Sequence, residues 1–352
     1  MSDRENPSSH PVALGRLARA WSQADLAAAA GIPRSTISAI ESRRLTPSVT
    51  AALAVAAALG GTVEELFGSG KPGEEGAQWA WPPVAEPCRY WEASVGTRKW
   101  LLPVENTSAN GALPDGVWRS GVRCPRVSSP QSSLVVACCD PASGYLAREY
   151  EEQTGYRMLI LERGGIQALE FLRRGIVHAA GLHFSTPQSP ARNVEIARRE
   201  LSSGFHLLRA AIWEEGLALP QKPGPASVAA ILRRKLTWAL REPGSAARDC
   251  LDELLESRPA TGQIVRGHTD VARAVRSGWA GAGVCIRLSA MENALGFVPI
   301  RCEYLDLCIS QAAIADPRVQ ALIRVVRSRN YRQHLEDLPG YDARQTGELL
   351  SC

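Results

Sequence analysis

The chain has 352 residues, which is too long for one ordinary domain and predicts two or three domains. Hydrophobic residues make up 45% and charged residues 22%, a composition typical of a globular protein. The net charge is only +4, which excludes a polycationic chain and confines any nucleic-acid contact to a local surface.

The sequence indicates neither a targeting segment nor a membrane span. The opening stretch "MSDRENPSSHP" lacks a basic segment followed by an apolar one, and no run of about 18 apolar residues occurs. The nine cysteines include the adjacent pair Cys138 and Cys139 and show no CxxC spacing. We therefore expect a cytoplasmic protein whose reduced thiols are small core residues, with a metal or redox role as the alternative.

The first predicted elements are two short helices joined by a glycine turn. Ser22 can cap a helix over residues 23–29, and Gly31 supplies the turn that follows it. Pro33 suits the first position of a second helix, which we expect to run to about Ser42. This pattern is typical of a helix-turn-helix.

Side chains suited to a shared core lie where these helices must meet, namely at Ala27, Ile32 and Ile37. A further helix begins after the "TPS" stretch. Its inward side chains are predicted to be Leu53, Ala56, Leu59 and Val63.

Residues 12–67 resemble the Cro/repressor, or xenobiotic-response-element, type of helix-turn-helix domain. The motif positions that carry the resemblance are Gln23, Ala30-Gly31, Arg34 to Glu41, and Pro47-Ser48. The resemblance implies a DNA-reading domain, in which the second helix of the motif lies in the major groove. Basic and acidic residues nearly balance within this segment, so we expect a homodimer that gains affinity by reading two half-sites of a double-stranded operator.

The same resemblance implies which side chains contact DNA. Gln23 would bind a phosphate and buttress the recognition helix. The side chains expected to face the major groove are Arg34, Ser35, Thr36 and Ser38. Those expected to hold phosphates are Arg43 and Arg44. Glu41 is expected to bond within the domain, because a carboxylate near phosphate is repelled.

A change of composition separates the helical segment from the rest of the chain. Residues 68–78 are rich in Gly, Pro and charge and predict a linker. Residues 79–130 combine tryptophans, short extended runs and turns, and predict a small β-rich connector. Apolar runs then alternate with helical patterns, which predicts an α/β domain over residues 131–350 with a mostly parallel sheet.

Three strand-to-helix junctions in this last segment carry small residues at the helix start. They read "CCDPASGYLAREYEEQTG", "LERGGIQALEFLRRG" and "REPGSAARDC". Helix N-termini at the carboxyl ends of strands can point into one cleft and bind an anion or a small polar ligand.

Residues 134–347 resemble the periplasmic-binding-protein-like domain of molybdate-related regulators, on stretches such as "GGIQALEFLRRGIVHAAGLHF", "GHTDVARAVRSGWAGAG" and "LPGYDARQTGE". The resemblance implies a type II fold of two α/β lobes that close on a ligand. The predicted architecture is therefore multidomain: an all-α helix-turn-helix domain, a β-rich connector and a two-lobed sensor. The resemblance also implies a one-component transcription regulator, in which ligand binding to the sensor changes the DNA affinity.

The ligand-binding residues expected from these junctions come from several elements. They are Ser143, Glu162, Gly164, Gly165, His183, Arg241, Gly244, Ser245, Arg248 and His268. For the two arginines the alternative is a structural ion pair with Glu242 or Asp249.

Departures from the family pattern leave the ligand open. Glu162 and Ala247 replace hydroxyl donors of the pattern, and Trp213 replaces an arginine. These losses weaken a molybdate site, because a desolvated dianion needs several well-placed donors. Three interpretations of the cleft therefore remain open: a site for a simple oxyanion, a site for another small molecule, and a ligand-free scaffold for dimerisation or a protein partner. Filling of the cleft by Trp213 or Glu162 would favour the scaffold.

No motif indicates an enzyme or a cofactor. GxSxG, HExxH and GxxxxGK[ST] are all missing, and the six histidines show no metal-binding spacing. We expect no catalysis, no metal site and no cofactor apart from the effector.

Overall fold

The computed structural model describes residues 10–17, 19, 21–42, 44–61, 63–67, 77–105, 111–119, 122–126, 132–201, 204–220, 227–256 and 258–352. Two compact units, Met1–Ala77 and Gln78–Cys352, divide the chain. Arg43 and most of the predicted linker lie outside the described residues. Among the residues described, no helix has the length and apolar character needed to cross a membrane.

The described part of the N-terminal unit is helical. Its helices are α1 (Pro11–Leu17), α2 (Gln23–Ala30), α3 (Arg34–Glu41), α4 (Val49–Leu59) and α5 (Val63–Phe67). Ser22 caps α2 through a capping box with Asp25, and Gly31 ends this helix with a left-handed φ of 65°. The recognition helix α3 begins at Arg34, one residue later than predicted, because Pro33 is its N-cap.

One core joins these helices, and it corrects one predicted position. Ala27 and Ile37 are buried where α2 and α3 meet, as the sequence predicts. On α4, however, Leu53 is 57% exposed. The buried stripe of α4 consists of Ala52, Val55, Ala56 and Leu59. Leu53 follows Ala52 by one residue, which turns it about 100° away from this stripe.

Five short strands form a sheet at the start of the second unit. They are β1 (Gln78–Trp79), β2 (Cys88–Val95), β3 (Arg98–Pro103), β4 (Gly116–Arg119) and β5 (Val122–Pro125), in the order β1-β3-β2-β4-β5. These strands lie in the segment predicted as a connector.

This small sheet packs directly on the α/β part of the same unit. Trp81 stacks on Phe171 with ring centroids 5.4 Å apart. Asp115 accepts two hydrogen bonds from the buried guanidinium of Arg157, at 2.9 and 2.7 Å. The predicted connector and the predicted sensor therefore form one compact unit rather than two.

A ten-stranded sheet forms the rest of the unit. Its strands are β6 (Ser133–Cys138), β7 (Arg157–Glu162), β8 (Ala179–Ser185), β9 (Phe205–Leu219), β10 (Trp238–Arg241), β11 (Gly262–Val265), β12 (Ala282–Ile286), β13 (Gly296–Ser310), β14 (Tyr341–Asp342) and β15 (Leu349–Ser351). The main order is β11-β10-β12-β9-β13-β8-β6-β7, and β14 and β15 pair with β9.

The two ends of this sheet are the two lobes. Strands β6, β7 and β8 pair in parallel in the first lobe, and β10, β11 and β12 do so in the second. Between them, β9 and β13 run antiparallel to each other over 15 residues each. The expectation of a mostly parallel sheet is therefore correct within the lobes and wrong for the strands that connect them.

Helices cover the sheet. They are α6 (Ser143–Thr154), α7 (Gly165–Arg173), α8 (Arg192–Glu200), α9 (Val228–Leu232), α10 (Ala246–Leu255), α11 (Gly267–Arg276), α12 (Arg287–Glu292), α13 (Pro317–Val326) and α14 (Arg329–Glu336), with a 3-10 turn at Gln311–Ala313. Helices α7, α10 and α11 each begin within five residues of the end of a parallel strand. Their N-termini therefore lie at the carboxyl ends of the strands, where α/β folds bind ligands.

Candidate functional site

The recognition helix presents a polar face. Ile37 and Ile40 are buried in the core, while Arg34 and Ser35 at the helix start are exposed. Thr36 and Ser38 are half-buried. Arg34 and Ser35 thus lie on the solvent-exposed face of this helix, and the other two lie at the edge of that face.

A buried network holds the recognition helix. Glu41 is 4% exposed and accepts hydrogen bonds from Arg16 at 2.7 and 3.0 Å. Gln23 donates a third hydrogen bond to it, from Nε2 at 2.8 Å. Burial alone raises the pKa of Glu41, but these donors outweigh it, and the net pKa lies below the ordinary value. The expected bonding of Glu41 within the domain, and the buttressing by Gln23, are both present.

Arg44 is the described member of the pair predicted to hold phosphates. It is exposed, and its Nε donates to Ser42 Oγ at 2.9 Å.

Two cavities open where the lobes of the second unit meet. The smaller, of about 360 Å³, is lined from the first lobe by Glu162, Gly164 and their neighbours. Arg241 and Gly244 line it from the second lobe. A larger cavity of about 780 Å³ lies beside α8 and also reaches Gly244. The junctions that precede α7 and α10 therefore face each other across one cleft.

Two carboxylates cross the mouth of this cleft. A Cβ added at Gly267, the first residue of α11, would collide with the Glu162 carboxylate. A Cβ added at Gly164, the N-cap of α7, would lie 2.6 Å from Glu242 Oε1. Each lobe thus places a carboxylate against the start of a helix in the other lobe, where an anion would otherwise be favoured.

The base of the cleft holds a fully buried polar cluster. His183 Nε2 lies 3.2 Å from Cys139 Sγ, and its Nδ1 lies 2.6 Å from Glu303 Oε2. His268 Nε2 approaches the same sulfur at 3.8 Å. The ring of Trp213 contacts both imidazoles, with centroids 5.0 and 5.7 Å away. Trp213 and the two histidines are thus buried beneath the cleft and line neither cavity.

The protonation of the cluster follows from its contacts. Burial disfavours the charged forms of His183 and Cys139, but the attraction between the two charged groups outweighs burial. The pKa of His183 therefore lies well above its ordinary value, and the pKa of Cys139 lies below its ordinary value. Burial also opposes ionisation of Glu303, yet His183 holds its pKa at about 2. Burial and the charges of Arg241 and His183 hold the pKa of His268 well below its ordinary value.

Two arginines border the cluster. Arg241 is 2% exposed and donates to Glu242 at 2.9 Å from Nε and from Nη2. This is one of the structural ion pairs that the sequence left open. Arg301 donates to Glu303 at 2.8 Å and lies 3.4 Å from Glu215. The cluster therefore combines buried thiol, imidazole and carboxylate groups, bordered by the guanidinium groups of Arg241 and Arg301.

Some buried polar atoms of the cleft have no hydrogen-bond partner among the residues described. They are Nδ1 of His268, Nη1 of Arg241 and Nε of Arg163. Buried polar atoms are normally paired, so these three atoms are available to water or a ligand. His178, His206 and Ser289, which line neither cavity, also carry such atoms.

Four predicted ligand-binding residues are used by the fold or lie elsewhere. Ser143 begins α6 and lines neither cavity. A Cβ at Gly165 would meet the Phe184 ring at 2.5 Å, so this glycine serves close packing. Ser245 Oγ caps α10, and Arg248 pairs with Asp252 at 2.9 Å rather than with Asp249 or Glu242.

Cys139, Glu303 and Glu215 were missed in the sequence. They stand far apart along the chain, and no local spacing links any of them to His183 or His268. The available signal for Cys139 was its place directly after a buried strand, at the edge where ligands bind.

Comparison with known proteins identifies both units. Residues 13–66 match the helix-turn-helix family, and residues 147–327, just over half of the chain, match the PBP superfamily domain. The chain belongs to the PBP superfamily. Its helix-turn-helix domain indicates a DNA-binding regulator, and its PBP-like domain indicates ligand binding.

Individual relatives of this PBP-superfamily chain are distant. YvgK of Bacillus subtilis is 25% identical over 229 residues, which cover 62% of this chain and 73% of the relative. A Clostridium pasteurianum protein, from the 5′ region of a ferredoxin 2Fe-2S gene, is 29% identical over 87 residues, which cover 24% of this chain and 75% of that protein.

Solved structures with a similar chain trace include a Clostridium perfringens protein described as a substrate-binding protein of a phosphate ABC transporter, solved with bound phosphate. It shares 11% identity at a TM-score of 0.48, over 58% of this chain and 97% of its own. The molybdate relation inferred from the sequence stays a prediction.

Proposed function

We propose that the chain is a one-component transcription regulator in which the PBP-like domain binds a small polar ligand between its lobes. Ligand binding changes the affinity of the helix-turn-helix domain for operator DNA. One observation carries the proposal: both lobes bury polar atoms at the cleft that no described residue pairs, namely Arg163 Nε in the first lobe and Arg241 Nη1 and His268 Nδ1 in the second. A cleft that only held the lobes together would bury apolar surface and avoid this cost.

The second candidate function is a ligand-free scaffold for dimerisation or a protein partner. Trp213 supports it, because this side chain is fully buried at the base of the cleft and packs against His183, His268 and Tyr341. The cavities of about 360 and 780 Å³ above this base favour the sensor, since a filled cleft would leave no such space.

The chemistry of the mouth bears on the class of ligand. Glu162 and Glu242 lie against the helix starts at Gly267 and Gly164, so a dianion entering there would meet two carboxylates. Arg163, Arg241 and Arg266 line the same cavity and supply compensating charge. This mixture suits a zwitterionic or partly cationic small molecule better than molybdate, phosphate or another tetrahedral oxyanion.

On the DNA side, Arg34, Ser35, Thr36 and Ser38 read bases, and Gln23 and Arg44 hold the helix and the phosphate backbone. Two copies of the chain bind two half-sites, because the nearly balanced charge of one helix-turn-helix domain gives modest affinity. This role places the protein with the DNA in the cytoplasm and requires no catalysis.

Native mass spectrometry of the full chain, purified under mild conditions, tests the sensor. We expect a non-covalent mass that is lost on unfolding. The variant R241Q should lose this mass, because Arg241 lines the cavity from the second lobe. The control R234Q, at an exposed arginine outside both cavities, should keep it.

Circular dichroism confirms that R241Q has folded before its bound mass is interpreted. A wild-type chain without bound mass, whose unfolding temperature is also unchanged by a panel of oxyanions, amino acids and amines, would establish the scaffold instead.

A further inference from the structure

Three potential metal ligands from separate parts of the chain meet at the base of the cleft. Cys139 follows β6 directly, His183 lies within β8, and His268 is the second residue of α11. The sulfur and one nitrogen of each ring lie within 4.8 Å of one another, and all three side chains are buried. Cysteine and histidine are the ligands that Zn²⁺ and Cu⁺ prefer in proteins.

The separations fit a bound ion. Cys139 Sγ lies 3.2 Å from His183 Nε2 and 3.8 Å from His268 Nε2. A tetrahedral Zn²⁺, with bonds of about 2.3 Å to sulfur and about 2.0 Å to nitrogen, holds such ligand atoms about 3.5 Å apart. An ion can therefore enter with side-chain shifts of a few tenths of an ångström.

The surroundings of His183 are those of a metal-binding histidine. Its Nδ1 donates to Glu303, which can only accept as a carboxylate, and this bond leaves Nε2 facing Cys139. Glu303 is itself fixed by hydrogen bonds from Arg301 at 2.8 Å and Trp213 at 3.3 Å. A carboxylate that orients the ligating imidazole through its far nitrogen is a common feature of metal sites.

His268 supplies the independent observation. Its ring is 0% exposed, its Nδ1 has no hydrogen-bond partner within the described chain, and its Nε2 has only the sulfur at 3.8 Å. A buried imidazole with so little pairing is costly unless something binds it. An ion at Nε2 would replace the weak contact with the sulfur at 3.8 Å, while Nδ1 would donate its proton to a water molecule or a cleft ligand.

The charges that face the cluster permit a cation. Arg241 is the nearest positive group, and Glu242 pairs with it through two hydrogen bonds. Arg301 pairs with Glu303 and with Glu253 at 2.9 Å. The remaining acid, Glu215, lies beside His183 and Glu303 and is uncharged, because burial and the Glu303 charge hold its pKa well above the ordinary value. The Cys139 thiolate therefore offsets a metal ion, while Glu303 and Glu242 stay paired with Arg301 and Arg241.

We propose that Cys139, His183 and His268 form a transition-metal site for a thiophilic or borderline ion, Zn²⁺ or Cu⁺. Since the first two ligands belong to the first lobe and His268 to the second, the ion ties the lobes together. The inference rests on the proposed function in one respect only, namely that the ion is the effector or part of it. Metal binding itself does not depend on a DNA response.

Spectroscopic titration of the reduced, chelator-treated full chain with Co²⁺ tests the site. We expect one Co²⁺ per chain with a sulfur-to-cobalt charge-transfer band, and displacement of the Co²⁺ by Zn²⁺. Competition with a chromogenic Cu⁺ chelator gives the Cu⁺ affinity. C139A should lose the band, and H183Q and H268Q should bind at least about tenfold more weakly. E303Q should lower the affinity about 10- to 100-fold, because Glu303 positions His183.

Matched controls separate the site from general damage. C138A removes the adjacent buried thiol, and H206Q changes a buried histidine that bonds Ser351 instead of the cluster. Both should keep the band and the affinity. Circular dichroism excludes unfolding in every variant, and E303Q, which leaves all three ligands in place, tests the geometry if a ligand variant fails to fold.

The outcomes are distinguishable. Failure of all three ions to bind the wild-type chain, or Co²⁺ binding that C139A leaves unchanged, would overturn the metal site. Alkylation of Cys139 by iodoacetamide at equal rates with and without Zn²⁺ would also overturn the metal site. It would indicate that Cys139 and His183 interact as a pair without an ion. Metal binding without any change in DNA affinity would support the site and show that the ion is not the effector; the regulatory function is tested separately with the small-molecule fraction.

Discussion

The two units of the chain each bury a charged network, and the two networks differ in completeness. In the helix-turn-helix unit, both oxygens of Glu41 accept hydrogen bonds, from Arg16 and Gln23. In the cleft, Arg241 and His268 each keep a buried nitrogen without a partner among the described residues. Both networks lie out of water, so the difference is one of pairing and not of burial.

This difference separates a structural role from a binding role. A complete buried network holds elements in place, and breaking it leaves a charge unpaired. An incomplete network costs free energy in the unliganded fold and recovers it when a partner binds. The Glu41 network therefore explains how the recognition helix is held, and the cluster around His268 is where we propose that a ligand acts.

The largest expected effect comes from breaking the complete network. E41A should lower the free energy of unfolding of the helix-turn-helix unit by about 3 kcal/mol, because Arg16 would stay largely buried without its carboxylate. Hydrogen exchange of peptides from residues 10–61, measured in the full chain by mass spectrometry, reports this loss. The control E152A breaks the exposed pair with Arg148 and should change stability by less than about 0.5 kcal/mol. Equal effects of the two variants would remove the structural role of Glu41.

A smaller effect is expected on the exposed face of the same unit. R34A should weaken binding to a DNA sequence selected from a random pool by about 10- to 100-fold, because a base contact by arginine contributes about 1–3 kcal/mol. Binding to unrelated DNA should change much less, since Arg34 would read bases. Fluorescence anisotropy with both DNAs measures the ratio, and an unchanged ratio would contradict the role of Arg34.

Arg44 should act on all DNA sequences alike. R44A should weaken binding to selected and unrelated DNA by the same factor and reduce the slope of log affinity against log salt by about 1, because one phosphate contact is lost. The salt titration uses the same two DNAs. Loss confined to the selected sequence would make Arg44 a base reader.

The smallest effect on stability is expected in the incompletely paired network of the cleft. H268L should change the unfolding free energy of the metal-free chain by less than about 1 kcal/mol, because it replaces a poorly paired polar ring with an apolar side chain of similar volume. Urea unfolding with chelator present measures this. A loss as large as that in E41A would show that His268 is structural.

The sequence predicted the helix-turn-helix better than the cleft, for a physical reason. Caps and turns are local, so Ser22 and Gly31 bound α2 as expected. The cluster of Cys139, His183 and His268 depends on tertiary structure that joins positions 129 residues apart.

Tertiary structure also overrides local patterns elsewhere. Two apolar runs, residues 296–300 and 305–310, belong to one strand, β13, because it pairs with β9 along its whole length and with β8 over its second half. Arg248 stood beside a predicted anion site, yet it pairs with Asp252 one helical turn away.

The coupling between cleft and DNA is tested most directly by the operator affinity of one preparation in three states. The full chain is measured as isolated, after reversible unfolding and refolding without small molecules, and after its own small-molecule fraction is returned. We predict a change in dissociation constant of at least about fivefold on stripping, and its reversal on return. Identical affinities in all three states, with DNA binding intact, would contradict the sensor and leave a DNA-binding scaffold.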